Sequence, residues 1–338
     1  MLADYKNYIK NRLYNVSILW KFIEVIQGLG FAFKYYYHYV FKINSENTSS
    51  LNEIYIEFSS ACNLRCGFCS LDHLKPSTYI EEETLRKFLE NFISDKRFRS
   101  VKSLQLHNAG ETLLHPKKIV LLEIIKEYKD KALSQGKKFP EVHILTNGML
   151  LKERVSKAIL DIGIIDVLRM SLDGGTPEAF EEMRDRAKWP IFYKNVKDFV
   201  AYNKEHNCGV KVSTISIIPA DKDFKLDWMH PEFREILQLV DSYELRRLHN
   251  WAGEIAGLEV KNKPYKIGCN MAIDQMVLLP NGDVTVCCSD LNSKGVIGNF
   301  LKDDIYSIYN GKRRRAYLDL LFKGQKDKLE LCKGCETF

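Results

Sequence analysis

The sequence predicts an α/β fold built on a parallel sheet, followed by a smaller module at the carboxyl end. Between residues 53 and about 249, short runs rich in β-branched and aromatic residues alternate with stretches of helical periodicity. This alternation has ended by residue 269, where a hairpin pattern with an Asn-Gly turn follows. The chain has 338 residues, 45% hydrophobic and 28% charged, which suffices for one large core plus a smaller module.

Residues 1–50 are predicted to form an aromatic and basic helical segment with a linker into the main domain. Residues 1–45 hold twelve aromatic, six basic and two acidic side chains. Their apolar stretch, residues 28–33, is far shorter than the roughly 20 residues that span a bilayer. The segment is therefore expected to cap the fold or cover a partner surface, with peripheral contact at a membrane interface as the alternative.

The alternating region contains six strand candidates and six helix candidates. The strands are predicted at residues 54–58, 101–107, 141–146, 166–172, 210–217 and 243–249. The helices are predicted at residues 82–93, 118–133, 152–162, 177–186, 192–205 and 231–240. Six βα units indicate a parallel sheet rather than a sandwich, and they are fewer than the eight of a closed barrel.

Three cysteines directly follow the first predicted strand. Cys62, Cys66 and Cys69 have C-x3-C-x2-C spacing, which indicates a bound iron or zinc. Three thiolates are one ligand short of a closed zinc site or an ordinary iron–sulfur cluster, so one metal position is left open to a substrate or cofactor. The alternative is a stray zinc loop or a set of buried free thiols.

The cysteine stretch resembles the C-x3-C-x-φ-C motif of the radical S-adenosylmethionine (SAM) superfamily, with Phe68 at the aromatic position. The resemblance implies a partial, open (β/α)6 TIM-type barrel over residues 51–250. It also implies a [4Fe-4S] cluster on the three thiolates, with SAM bound to the fourth iron. Reductive cleavage of SAM would then give a 5′-deoxyadenosyl radical that abstracts a hydrogen atom from the substrate.

Two further strand ends resemble the SAM-binding elements of this family. Gly110 and Glu111 follow the second strand and would offer backbone carbonyls and a carboxylate to the SAM ammonium group. Ser171 ends the fourth strand, and Arg184 follows one helix later; they would bind the SAM ribose or carboxylate. The alternatives are an Asx turn at Asp173 and a solvated helix face at Arg184.

A second cysteine set lies near the carboxyl end and can supply four ligands, enough to close one cluster or one zinc site. Its members are Cys269, Cys287, Cys332 and Cys335. Their order resembles the auxiliary-cluster module of the SPASM and twitch branches, which implies one auxiliary [4Fe-4S] cluster in an α+β domain at residues 251–338. Cys288 is left as an alternative ligand to Cys287.

Cys288 and Asp290 are the candidate catalytic residues beside this second site. A thiol at Cys288 would donate a hydrogen atom and so permit epimerisation. Asp290 would act as a general base for a hydroxyl group that is being oxidised. His107 and His249 end the second and sixth strands and are candidates for substrate contact, although a single strand-end histidine is more often structural.

Charge and cysteine usage bound the partners and the compartment. The net charge of +6 is spread along the chain and does not indicate nucleic-acid binding. The basic run at residues 312–315 is predicted to be a solvated face of a helix at 304–322, with a phosphate-bearing substrate as the alternative. Nine cysteines with no secretory signal predict the cytoplasm, with association at a membrane surface through residues 1–45 as a variant.

The resemblance implies a radical SAM oxidoreductase that acts on a small or lipid-linked molecule, such as a sugar or aminocyclitol alcohol. The auxiliary cluster would accept the substrate electron, and flavodoxin or ferredoxin would reduce the first cluster. The alternatives are a saccharide epimerase that uses a cysteine hydrogen donor, and a peptide- or protein-modifying maturase. A non-catalytic zinc or redox-sensing scaffold is the alternative of another class.

Overall fold

The computed structural model describes residues 25–26, 29–30, 32–42, 49–255 and 268–335. The strands among them are β1 (Glu53–Ile56), β2 (Arg65–Cys66), β3 (Ser103–Gln105), β4 (Glu141–Thr146), β5 (Val167–Ser171), β6 (Arg184–Asp185), β7 (Lys211–Ile217), β8 (Ser242–Arg246), β9 (Gln275–Leu278), β10 (Asp283–Thr285) and β11 (Val296–Asn299). The α-helices are α1 (Glu82–Ser94), α2 (Lys118–Ser134), α3 (Glu153–Ile162), α4 (Pro177–Met183), α5 (Trp189–Glu205), α6 (Pro231–Leu239), α7 (Asn270–Asp274), α8 (Ile305–Tyr309) and α9 (Lys312–Phe322).

The centre of the fold is a nine-stranded sheet with the order β11-β10-β9-β1-β3-β4-β5-β7-β8. The six strands of the predicted alternating region pair in parallel with their neighbours in chain order, from β1 to β8. The predicted α/β fold is confirmed. Because parallel strands end at the same edge, the loops that leave their carboxyl ends are brought together there.

Side chains of the parallel strands alternate between two faces of the sheet. Ile54, Leu104 and Leu168 belong to one face, and they are fully buried in the hydrophobic core that also contains residues of the helices. Tyr55 and Arg169 belong to the opposite face, where polar side chains surround a cavity. The sheet therefore has one apolar face and one face available for binding.

The carboxyl-terminal module continues the same sheet. Strand β9 pairs in parallel with β1, and β10 returns antiparallel to β9 as the predicted hairpin. Strand β11 then pairs antiparallel with β10. As a result the loop after β10 lies beside the cavity face of β1, an arrangement that periodicity within each segment does not reveal.

Two predicted helices are corrected by the structure. The helix predicted at 177–186 ends at Met183, because Arg184 and Asp185 pair antiparallel with the cysteine loop, Arg65 opposite Asp185. The helix predicted at 304–322 is two helices, α8 and α9, which meet at the cap residue Gly311.

The basic run at the start of α9 is not wholly solvated, which corrects another prediction. Arg314 is fully buried and donates hydrogen bonds to the carbonyl oxygens of Tyr309 (3.2 Å), Ala272 (3.0 Å) and Ile273 (3.3 Å). Its guanidinium also lies 4.0 Å from the centre of the Tyr309 ring. Arg314 thus joins α9 to α7 and is not available to a phosphate group.

The described part of the amino-terminal segment packs on α9. Tyr35 is buried and donates to the Leu318 carbonyl oxygen at 2.6 Å, and the Tyr39 ring stacks on Phe322 with centroids 4.1 Å apart. Phe33 and Phe41 of the same segment remain exposed. The predicted membrane contact of residues 1–45 falls largely on residues outside the described ones. Within the described residues, no helix is both long and apolar enough to cross a membrane.

Candidate cluster and substrate site

Cys62, Cys66 and Cys69 lie together in the loop that leaves β1. Their thiols are close enough to interact electrostatically. The charge of Cys66 raises the pKa of Cys62, and the charge of Cys62 raises the pKa of Cys69. Burial raises the pKa of Cys62 to about 11, so a thiolate there needs a positive partner. A metal cluster supplies that charge, and three converging thiols are the ligand type that iron–sulfur clusters take.

Gly110 is packed against the loop that leads into these cysteines. The backbone N–H of Glu111 donates to the carbonyl oxygen of Ala61 at 2.8 Å. A Cβ atom on Gly110 would lie 2.1 Å from the carbonyl oxygen of Ser59, so only glycine allows this approach. The predicted SAM-binding turn is therefore placed directly beside the cysteine loop.

The Glu111 carboxylate joins two strand ends, and its contact with the SAM ammonium group stays a prediction. It is buried and accepts from the Thr146 hydroxyl (2.8 Å), the Asn147 N–H (2.8 Å) and the Leu113 N–H (3.0 Å). Two of these donors bind Oε1 and one binds Oε2. Glu111 thus positions the turn, and the backbone of that turn is left to meet a ligand.

Asn147, in the turn that follows β4, also lies at the cysteine site. Its side-chain amide donates to the Asn63 side chain at 2.9 Å and lies 3.9 Å from the Cys62 sulfur. The Thr-Asn-Gly sequence at the end of β4 is the signal that could have identified it. Asn147 holds the cysteine loop against the sheet.

Arg184 forms a buried ion pair with Asp173 beside the same cysteines. Its Nη2 and Nε lie 2.5 and 2.7 Å from Asp173 Oδ2, and its Nη1 lies 4.0 Å from the Cys66 sulfur. The guanidinium also lies 5.6 Å from the centre of the Phe68 ring. Both alternatives, the solvated helix face and the simple Asx turn, are wrong, because this pair ties the end of β5 to the cysteine loop.

Ser171 ends β5 and is half-buried. Its hydroxyl group makes no hydrogen bond within the part of the chain that the structure describes. The contact between Ser171 and SAM stays a prediction.

The second cysteine set converges as the sequence predicted. Cys269 precedes α7, Cys287 follows β10, and Cys335 donates its backbone N–H to the Cys332 carbonyl oxygen at 3.0 Å. Burial, and then the charges of Cys287, Cys332 and Cys335, raise the pKa of Cys269. Four thiols that interact in this way fit one closed cluster.

The interactions of Cys287 with Cys269 and Cys332 favour Cys287 over Cys288 as the fourth ligand, and this assignment stays a prediction. A hydrogen bond from the Cys288 thiol lowers the pKa of Cys287, which favours the thiolate that a metal binds. Cys288 instead interacts with Tyr55 and lines the cavity.

All nine cysteines lie among the described residues and are free thiols. Within those residues, no three Cys, His, Asp or Glu side chains converge closely enough for a single metal ion.

A cavity of about 570 Å³ lies on the polar face of the sheet. The polar side chains in its wall include those of Tyr55, Gln105, His107, His143, Arg169, Arg246, His249 and Cys288. Burial and the charge of Arg169 lower the pKa of His107 to about 3, and burial and the charge of Arg246 lower that of His249 to about 4. Both imidazoles are therefore neutral at pH 7 and can exchange hydrogen bonds with hydroxyl groups.

Asp290 does not reach this cavity, which corrects the prediction of a catalytic base. Its carboxylate is buried and accepts from the Thr285 hydroxyl (2.5 Å), the Gly295 N–H (2.7 Å) and the Lys294 N–H (2.8 Å). It closes the loop that carries Cys287 and Cys288. Asp290 is a positioning residue for the second cysteine set.

Glu57 is a buried acid at the end of β1 that the sequence analysis missed. Burial raises the pKa of Glu57 to about 7, against the opposing effect of hydrogen bonds from the Ala109 N–H and the Asn108 side chain, each 3.0 Å long. Asn108 itself lines the cavity. Because Ile54 and Ile56 point to the core and side chains alternate along a strand, Glu57 lies on the polar face. This alternation is the sequence pattern that could have identified Glu57 as a site residue.

Comparison with known proteins identifies two family models that match the chain. One, described as the radical SAM superfamily, matches residues 56–227, and the other, an iron–sulfur cluster-binding domain, matches residues 269–336. The S-adenosyl-L-methionine-dependent 2-deoxy-scyllo-inosamine dehydrogenase of Niallia circulans is 21% identical over 290 residues, 84% of this chain and 92% of the relative.

Two further similarities differ in extent. The tungsten-containing aldehyde ferredoxin oxidoreductase cofactor-modifying protein of Pyrococcus furiosus is 28% identical over 120 residues, 36% of this chain and only 30% of that relative. The crystal structure of BtrN in complex with AdoMet and 2-DOIA superposes with a TM-score of 0.59 at 19% identity, covering 85% of this chain and 93% of BtrN. At that identity the similarity concerns the fold.

Proposed function

The chain belongs to the radical SAM superfamily and is an oxidoreductase-type enzyme; on this premise we propose that it oxidises an alcohol group of a small polyhydroxylated molecule. Its cofactors are SAM, a SAM-binding iron–sulfur cluster and an auxiliary iron–sulfur cluster. The Niallia circulans relative, a 2-deoxy-scyllo-inosamine dehydrogenase that matches along 92% of its length, supports the choice of an alcohol substrate.

The observation that carries the proposal is the position of the polar cavity between β1 and the second cysteine set. Cys288 lines this cavity, while the adjacent Cys287 interacts with Cys269 and Cys332. A substrate in the cavity would lie close to the auxiliary cluster. Neutral His107 and His249 suit hydroxyl groups, which is the chemistry of a sugar or a cyclitol.

The residues that would hold the two clusters follow from the site. Cys62, Cys66 and Cys69 would bind the first cluster, and the second set would bind the auxiliary one. When bound, these groups supply the hydrogen-abstracting 5′-deoxyadenosyl radical and an acceptor for the electron that the substrate loses. The turn at Gly110 and the half-buried Ser171 would position SAM from the sheet edge.

The chain also has to remove the proton of the hydroxyl group that is oxidised. We assign this role to Glu57, because it lies at the end of β1 on the polar face of the sheet and its pKa near 7 suits proton transfer at neutral pH. Asn108 connects Glu57 to the cavity wall. Cys288 offers the alternative outcome, because a hydrogen atom donated by its thiol would give an epimer instead of a ketone.

The test is an anaerobic assay with the reconstituted protein, SAM, a reductant and a panel of cyclitols and sugars. Wild-type protein and the control Cys208→Ala should form 5′-deoxyadenosine, and Cys62→Ala should form none. A matching ketone product would support oxidation, and an epimer that is lost in Cys288→Ser would support the alternative. Stoichiometric zinc with no SAM cleavage would overturn the enzyme assignment.

The electron donor is proposed to be a flavodoxin or a ferredoxin, which fits a reducing cytoplasm and the free state of all nine cysteines. Replacing the chemical reductant with each purified donor tests this. Formation of 5′-deoxyadenosine with a donor would support the proposal, and its absence with both would contradict it.

We also propose that the amino-terminal segment contacts a membrane surface peripherally. Leu29, Phe33 and Phe41 are 67%, 72% and 65% exposed, although Tyr35 of the same segment packs on α9. Exposed aromatic and aliphatic side chains bind the interfacial zone of a bilayer. Wild-type protein should sediment with anionic vesicles, Phe33→Ser should sediment less, and the control Leu74→Ser, at a 95% exposed position, should be unchanged. Failure of the wild type to sediment would contradict the proposal.

A further inference from the structure

Two guanidinium groups in the cavity wall lack an anionic partner among the described residues. Arg169, on β5, donates one long hydrogen bond of 3.3 Å to the Ser213 hydroxyl. Arg246, at the end of β8, has a buried Nε that makes no hydrogen bond within the described chain. Neither forms a salt bridge there, whereas other arginines of the chain, Arg86 and Arg184 among them, do.

Arg247, the third arginine of the cavity wall, differs from the other two because its guanidinium donors have hydrogen-bond acceptors within the chain. It donates to the carbonyl oxygens of Pro219 at 2.5 Å and Lys222 at 2.7 Å, and it stacks on Phe224 at 4.5 Å. Backbone acceptors and an aromatic ring therefore hold Arg247 in place. Arg169 and Arg246 have no comparable set of contacts, so their donors are available to a ligand.

The cavity is electrostatically positive as a result. Burial, and to a smaller extent the charge of Arg169, lower the pKa of Arg246, while the charges of Glu244 and Asp173 oppose that shift. Glu53 is the carboxylate in the wall, and it already accepts from the Tyr55 hydroxyl (3.1 Å) and the Gln275 amide (2.9 Å). The Arg169 side chain is exposed and that of Arg246 is partly buried, and an anion in the cavity would gain charge-assisted hydrogen bonds from both.

We propose that the substrate carries an anionic group, a phosphate or a carboxylate, which Arg169 and Arg246 bind together; this inference rests on the function proposed above. Guanidinium groups bind both anions through paired N–H donors in a fixed plane. The group anchors the substrate on the β5 and β8 side of the cavity, and the hydroxyl to be oxidised then lies toward the neutral histidines and Cys288. A protonated amine, such as an inosamine would carry, is repelled by this wall.

Binding of simple anions to the reconstituted holoenzyme with SAM tests the proposal by calorimetry. The probes are inorganic phosphate and acetate, with ethylammonium as the cation of similar size. Phosphate or acetate should bind and ethylammonium should not. Arg169→Gln and Arg246→Gln should each weaken anion binding by about tenfold or more, which is the effect of losing a hydrogen bond to a charged group. Arg154→Gln, at an exposed helix position, is the matched control and should bind as the wild type does.

Each result has one meaning. Binding of phosphate but not acetate identifies a phosphorylated substrate, and the reverse identifies a carboxylate. No anion binding by the wild type, or equal binding by all variants, overturns the proposal. A lower affinity for SAM in the two variants, with anion binding unchanged, assigns the arginines to the cofactor and also overturns it. Thermal unfolding and iron content show whether a variant is intact.

The experiments distinguish a failure of the anionic-substrate proposal from a failure of the proposed enzymatic function. Anion binding needs no turnover, so a protein that binds phosphate through Arg169 and Arg246 but never forms 5′-deoxyadenosine refutes the enzyme assignment alone. Conversely, SAM cleavage in all variants without anion binding refutes only the anionic substrate.

Discussion

Replacing Arg184 with methionine should destabilise the protein strongly, because its ion pair with Asp173 is buried on both sides. The exposed fractions of the two side chains are 7% and 2%, and their closest atoms are 2.5 Å apart. Removing the guanidinium leaves the Asp173 carboxylate with the Ile217 N–H as its remaining donor, at 2.6 Å. Breaking one side of a buried pair costs about 3 to 5 kcal/mol.

The assay is anaerobic urea unfolding of the holoprotein, with iron measured in parallel because Arg184 also lies beside Cys66. The control is Arg86→Met, since the pair of Arg86 with Glu127 has the same type of contact at 2.8 Å but is 43% and 59% exposed. That variant should lose less than about 1 kcal/mol. The double variant Arg184→Met/Asp173→Asn should lose less than the sum of the two single losses. An Arg184→Met loss no larger than that of Arg86→Met would refute the reasoning.

Three further predictions concern the loops around the cavity. Gly110→Ala should cost about 1 to 3 kcal/mol and reduce cluster iron, because its new Cβ meets a backbone carbonyl at 2.1 Å; Gly67→Ala, which meets nothing within 4 Å, is the control, and equal iron in both would contradict this. Burial raises the pKa of Glu57 from 4.5 to about 7, so its contribution to stability, about 3 kcal/mol, is full below pH 4.5 and lost as the pH rises through 7. Unfolding free energies from about pH 5 to about pH 8 should fall in the wild type and fall less in Glu57→Gln; identical slopes would contradict the assignment. Cys287→Ser should lose the auxiliary iron and Cys288→Ser should keep it, and the opposite pattern would exchange their roles.

The sequence predicts the features that depend on local patterns. The alternation of Ile54 and Ile56 with polar residues marks a strand with one buried face, and the spacing of Cys62, Cys66 and Cys69 marks a metal loop. Both signals are contained in a few consecutive residues. The parallel fold and the first cysteine site therefore follow from the sequence.

Long-range partners are what the sequence does not provide. The pairing of β9 with β1 joins segments more than 200 residues apart, and together with the pairing of β10 with β9 it brings Cys288 next to Tyr55. Glu111 and Asp290 each look like a free acid in the sequence, but protein donors occupy both. A periodic pattern shows which face of an element is buried, and it does not show which group will satisfy a buried charge.

The presence of two clusters is tested most directly by the iron and sulfide content per chain after anaerobic reconstitution. Two four-iron clusters should give about eight irons in the wild type, about four when Cys62, Cys66 and Cys69 are replaced by alanine, and about four when the auxiliary cysteines are replaced. Stoichiometric zinc, or an iron content that the first triple variant does not change, would contradict it.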